Sequence, residues 1–155
     1  MEKIASFTVN HLTLEPGLYV SRKDRMGAET VTTFDLRMTA PNREPVMNTA
    51  EIHTIEHLGA TYLRNDPDWK DRTVYFGPMG CRTGFYLLTR GLTPAEALEL
   101  TVESFRFMAG FEGAVPGASE VECGNYRDMD LAAAKAEAAA MLPVLEALTG
   151  DELHY

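Results

Sequence analysis

His53-Thr54-Ile55-Glu56-His57 constrains this chain more than any other stretch. Two imidazoles four residues apart share a face only on an α-helix, where they sit one turn apart. On that face both can bind one metal ion. Glu56, three residues after His53, points the same way. A carboxylate beside a metal-polarised atom is a ready proton shuttle. The order His-x-x-Glu-His inverts the commoner zinc-protease order and has a peptidase precedent. The motif therefore implies a helix, a metal and acid–base chemistry, and leaves the reaction open.

The remaining composition narrows the setting. With 155 residues, 45% of them hydrophobic, the expectation is one domain over residues 1–155 with a sizeable core. The net charge is −9 and the 14 basic residues form no run, which disfavours a nucleic-acid or anionic-membrane partner. No basic-then-apolar signal pattern opens the sequence, and no apolar stretch approaches the length of a membrane span. Two cysteines do not make a disulfide framework. The expected compartment is a reducing cytoplasm, with both thiols free.

The pattern along the chain reads as mixed strands and helices without a regular βαβ alternation. Residues 1–16 look irregular up to the Pro16-Gly17 turn. Residues 18–22 and 30–38 read as strands joined near Gly27. In the second, Val31, Thr33, Asp35 and Arg37 share one face, and Thr32, Phe34, Leu36 and Met38 the other. Residues 49–64 read as a helix capped by Thr49 or Asn48. Residues 73–76 and 83–89 are strand-like. Thr93, Pro94 and Glu96 open a capped helix that reaches about Met108. Residues 111–127 look like loop, and the alanine-rich 130–148 like a last helix, bent or broken near Pro143. The expected class is α+β, an antiparallel sheet flanked by helices.

A catalytic metal usually takes three protein ligands and keeps one position open. Cys123, in Glu122-Cys123-Gly124-Asn125, and Cys81, after Pro78-Met79-Gly80, compete as the third donor on spacing alone. Cys123 is otherwise a small buried hydrophobe, the usual fate of a free cysteine. Cys81 sits in a tight turn that can present a thiol to a cleft, where a nearby metal or cation would lower its pKa. His11 and Arg37 read more weakly, as structural or solvated groups. His154, beside Tyr155, reads as frayed.

Taken together, His53-Thr54-Ile55-Glu56-His57, the run from Pro78 to Tyr86 and Glu122-Cys123-Gly124-Asn125-Tyr126 resemble the LuxS family of S-ribosylhomocysteine lyases. Phe34-Asp35-Leu36-Arg37, Pro41-Asn42, Ser6 and His11 fit the same family, in the same order over nearly the whole chain. The resemblance implies that His53, His57 and Cys123 hold a divalent metal, natively ferrous iron, with zinc or cobalt as substitutes. It implies that Glu56 and Cys81 are the general acid–base pair, and that Ser6, His11 and Arg37 contact the substrate. It implies a homodimer with active sites at the subunit interface, where Ser6 and His11 reach across. The implied reaction cleaves S-ribosylhomocysteine to homocysteine and 4,5-dihydroxy-2,3-pentanedione, the autoinducer-2 precursor, and returns homocysteine to the methionine cycle. One departure is Tyr75, where many relatives carry an acidic residue.

Three rivals remain on the residues alone. An inverse-motif zinc peptidase would use Glu56 to activate water and take a carboxylate such as Glu122 as third ligand. A metal or redox sensor would close four positions with both histidines and both cysteines. A plain α+β binding module would use neither.

Overall fold

The computed structural model describes residues 1–155. Its sheet has four antiparallel strands: β1 (Gly17–Met26), β2 (Glu29–Arg37), β3 (Thr73–Pro78) and β4 (Gly84–Arg90), in the order β1-β2-β4-β3. Three helices complete it: α1 (Thr49–Asn65), α2 (Pro94–Gly110) and α3 (Leu131–Glu146). The fold is α+β, as the mixed pattern predicts.

Strand register sorts the side chains. Leu18, Leu36 and Phe85 stand abreast across β1, β2 and β4, and Phe34, Leu87 and Phe76 across β2, β4 and β3. This face joins Ile52, Ile55 and Leu58 of α1, Leu100 and Phe105 of α2, and Ala138, Met141 and Leu145 of α3 in one core. The other face carries Tyr19, Thr33, Asp35, Tyr86, Leu88 and Tyr75.

Alternation on β2 predicts that only one of its faces is covered. In fact Asp35 and Arg37 are 2% and 3% exposed, as buried as Phe34 and Leu36. The segment after α3 covers them: Leu153 is fully buried and its carbonyl accepts the Val20 N–H at 2.8 Å, which brings Tyr155 back over the sheet. Two other expectations shift. α3 runs on through Pro143 to Glu146 instead of breaking, because only one turn follows the proline and Leu145 anchors it in the core. The first 16 residues are irregular apart from one short 3-10 turn, Ala5–Phe7.

α1 lies against β3 and touches both other helices. Asn48 caps it: its side chain accepts the Glu51 N–H, and the Glu51 carboxylate accepts the Asn48 N–H. The cap starts the helix one turn before His53, so both histidines fall on its partly open flank while Ile52 and Ile55 face the core.

Candidate active site

Two histidines of α1 meet the loop between α2 and α3. The His53 Nδ1 lies 3.0 Å from the Asp128 carbonyl, and the His57 Nδ1 2.7 Å from the Pro116 carbonyl. A carbonyl only accepts, so each Nδ1 carries a proton, and in the neutral ring the Nε2 keeps its lone pair for a ligand. That is the tautomer a metal ligand needs. The rings stand edge to face, with centroids 4.7 Å apart.

Cys123 completes the group. Its Sγ lies 3.3 Å from the His53 Nε2, and one ligand atom from each of His53, His57 and Cys123 lies within 4.8 Å of the others. These residues could hold a metal ion, with a thiolate, two imidazoles and one position left open. The spacing left Cys81 and Cys123 level; the fold brings Cys123 to the histidines. It does so by tying the loop to α1 through Thr54, a buried residue whose hydroxyl donates to the Ala50 carbonyl and accepts the Asp130 N–H at 2.8 Å. The Asn125 N–H points at the Cys123 Sγ from 3.4 Å. Gly117 lies against His57 with φ +69; a Cβ there would sit 3.2 Å from the Nδ1. Glu56 is half-buried and lines a cavity of about 280 Å³ with His57, Ala60, Thr61, Pro116 and Gly117.

A second cluster forms around Cys81, at the turn between β3 and β4. Its Sγ lies 3.1 Å from the Thr83 Oγ1 and 3.9 Å from the Arg37 Nη1. The Arg37 Nη1 also donates to the Thr83 Oγ1 at 2.6 Å, which leaves the Thr83 hydroxyl proton for the sulfur. Arg37 forks onto Asp35, with Nε to Oδ1 at 3.1 Å and Nη2 to Oδ2 at 2.6 Å. Partial burial pushes the Cys81 thiol up, but the Thr83 hydrogen bonds and the Arg37 charge outweigh it and hold the thiol below its ordinary range. Arg82, the next residue, sits at φ 60, and its carbonyl accepts the Met47 N–H at 3.1 Å. That bond ties the Cys81 turn to the segment entering α1.

Ser6 lies elsewhere. It lines a cavity of about 340 Å³ on the open sheet face, with Arg22, Thr33, Tyr75, Tyr86 and Leu88. His11 is partly exposed, and its Nδ1 meets the Val9 carbonyl at 2.9 Å. Within one chain Ser6 and His11 hydrogen-bond to neither the histidine–cysteine group nor Cys81. No sequence pattern gives Thr54, Thr83, Asp35, Pro116, Gly117 or Tyr155 a role of its own. Only the Asp35–Arg37 pair left a signal, the i, i+2 spacing of opposite charges on one strand face.

An α+β sheet whose covering helix joins two histidines to a distant cysteine, with a carboxylate beside them, defines a protein with a candidate metal site. Comparison with known proteins makes the assignment specific. The S-ribosylhomocysteinase (LuxS) family model matches residues 4–149, and the chain belongs to that family. It is similar to proteins named S-ribosylhomocysteine lyase. The Clostridium acetobutylicum protein is 58% identical over 100% of this chain and 99% of its own length. The Clostridium beijerinckii protein is 62% identical over 87% of this chain and 86% of its own. The Phocaeicola vulgatus protein is 57% identical over 100% of this chain and 98% of its own.

Proposed function

We propose that this protein is a carbon–sulfur lyase that cleaves S-ribosylhomocysteine to homocysteine and 4,5-dihydroxy-2,3-pentanedione. Family membership over residues 4–149 carries the reading. The chemistry of the donor sets agrees with it. Residues 1–155 act as one domain, which the single shared core supports.

The thioether carbon of the substrate is not activated in the starting sugar. The carbonyl must first migrate along the chain by two enolisations. Each takes a proton from one carbon and returns it to the next. A third proton, beside the final carbonyl, is then acidic enough for homocysteine to leave by β-elimination. Atoms balance without water or an external oxidant. When bound by His53, His57 and Cys123, a divalent ion supplies Lewis acidity to sugar oxygens that gain negative charge. The Cys81 thiolate takes and returns protons at one side of the sugar, and Glu56 does so at the other. Arg37 offers its guanidinium beside the thiolate, where substrate oxygens can be oriented. The ion is ferrous iron, with zinc or cobalt as substitutes; a mixed thiolate–imidazole set suits all of them.

The protein works as a cytoplasmic homodimer. Ile4, Phe7 and Leu12, in the segment that carries Ser6 and His11, are 58%, 71% and 70% exposed, and Tyr75 is 48% exposed beside the same cavity. Such a surface is what a second copy would cover. Ser6 and His11 then reach the partner's metal-side residues. The peptidase reading loses support because Glu122 is exposed and engages Ser119. The closed-sensor reading loses it because Cys81 is engaged with Arg37 and Thr83.

Anaerobically purified, iron-loaded protein mixed with S-ribosylhomocysteine should release free thiol, followed with a chromogenic reagent. Release should need the metal and fall about 10²- to 10⁴-fold in Cys81→Ala and in Glu56→Gln. Tight iron with no thiol release would sink the lyase reading; full turnover in both variants would sink the acid–base assignment. Metal analysis of that preparation tests iron against zinc.

A further inference from the structure

Tyr155, the last residue of the sequence, has no role in the site described above. It is half-exposed, yet its hydroxyl turns inward and donates to the Asp35 Oδ2 at 2.8 Å. The same oxygen accepts the Arg37 Nη2 at 2.6 Å. Asp35 and Arg37 are each 3% exposed at the side chain. Tyr155 thus closes the outer side of a buried ion pair whose inner end is the Arg37 Nη1, 3.9 Å from the Cys81 Sγ. Its ring is held in place by stacking on Tyr19, with centroids 5.1 Å apart and planes 11° from parallel. Leu153, fully buried, and its bond to Val20 fix the segment that delivers it. A frayed end would show none of these.

We infer that Tyr155 is a positioning residue for Cys81, acting through Asp35 and Arg37. The inference rests on the reading of Cys81 as an acid–base group. Arg37 engages both Asp35 oxygens, but a guanidinium fork and its carboxylate can still rotate together. A hydroxyl bond on Oδ2 opposes that rotation and keeps the guanidinium fork flat, with Nη1 aimed at Thr83 and the thiol. The hydroxyl also draws charge from Asp35 that would otherwise bear on the sulfur. Loss of the hydroxyl therefore acts in one direction twice. Arg37 is freed to swing away, and the Asp35 charge bears more fully on the sulfur. Both disfavour the thiolate.

The other ionisable groups near this cluster are Tyr19 from β1 and Tyr86 from β4, with Glu15 acting on Tyr19 and Arg22 on Tyr86. Burial and the Asp35 charge hold both phenols above their ordinary range, so neither changes charge while the thiol titrates. Tyr155 itself is held up in the same way, first by burial and then by Asp35. It stays a neutral donor throughout.

The test is the pH profile of Cys81 alkylation by a neutral haloacetamide, read by mass spectrometry of the Cys81 peptide in the full-length, metal-loaded protein. In Tyr155→Phe, which keeps the stacked ring, the midpoint should rise by about half a pH unit or more. That is about a threefold loss of thiolate below the midpoint. Tyr19→Phe, which removes a hydroxyl bonded to the Glu15 carbonyl, should leave it in place. Tyr155→Phe should lower kcat with KM little changed. A wild-type profile in Tyr155→Phe overturns the proposal. An equal shift in Tyr19→Phe also overturns it, because packing alone would then be the cause. The profile reads the thiol without turnover, so a failed lyase assay is distinguishable from a failed positioning role.

Discussion

At Cys81 burial pulls one way, and the Thr83 hydrogen bonds together with the Arg37 charge pull the other way and win. The folded thiol titrates below its unfolded value, so the ionised form favours the fold. That contribution is complete above the ordinary thiol value of about 8.5 and is lost as pH falls through the lowered midpoint. The stability gap between the wild type and Cys81→Ala should therefore widen as pH rises through that window, in urea titrations at a series of pH values. A gap that narrows would contradict the lowered thiol. Thr83→Val removes the hydroxyl shared by Arg37 and the sulfur, and should raise the alkylation midpoint. At the metal side the sensitive residue is Gly117. A Cβ there would crowd the His57 Nδ1 at 3.2 Å, in a left-handed conformation that side chains avoid. Gly117→Ala should push the ring off the Pro116 carbonyl and weaken metal affinity by about 10- to 100-fold, the range for lost outer partners of a metal ligand. Competition with a chelator measures it, and unchanged retention would show that the carbonyl bond is dispensable.

For α1, two local choices set its place, and they carry different energies. The Asn48–Glu51 capping box fixes where the helix begins, and Asn48→Ala should cost about 1 kcal/mol. Gly59 fixes how near it comes to β3: a Cβ there would fall 2.5 Å from the ring of Phe76, which is stacked on Phe85. Helix propensity alone predicts that Gly59→Ala gains about 1 kcal/mol. Overpacking a stacked pair costs about 1–3 kcal/mol, and we expect it to win. Chemical denaturation should show net loss of stability; a gain would mean the rings give way. This element was the most legible part of the sequence, because the spacing of His53, Glu56 and His57 and the Asn48 cap are local signals. β2 was half legible. Its alternation located Phe34 and Leu36, but the burial of Asp35 and Arg37 depends on Tyr155, 120 residues away in sequence. Cys123 was told from Cys81 only through family resemblance, since the loop that carries it is held to α1 by carbonyls that meet the two histidines and by a buried threonine. Pattern reasoning follows periodicity, and a loop held by carbonyl bonds to a helix has none.

At the scale of the whole molecule, Ser6 and His11 stand apart from the histidine–cysteine group within one chain, and the proposed homodimer would bring them to the partner's group. If each active site takes its metal side from one chain and Ser6 and His11 from the other, two dead variants can restore one another. On that reading Cys123→Ala removes a ligand of the metal side, and His11→Ala removes a substrate contact. In a heterodimer of the two, one site carries both lesions and the other carries neither. Random pairing gives half heterodimers, each with one intact site of two, so the mixture should regain roughly a quarter of the wild-type activity from nearly inactive parents. Co-expression with different affinity tags allows the heterodimer to be isolated and its thiol release measured directly, where about half of the wild-type rate is expected. Should His11 serve the metal side of its own chain, every site in the heterodimer would carry a lesion and no activity would return. Metal content separates a folding failure from that result. The His11→Ala parent keeps His53, His57 and Cys123 and should bind its metal fully, whereas the Cys123→Ala parent should not. A heterodimer with half the wild-type metal and no thiol release would rule out sharing of the site between subunits. Half the metal with half the rate would establish it.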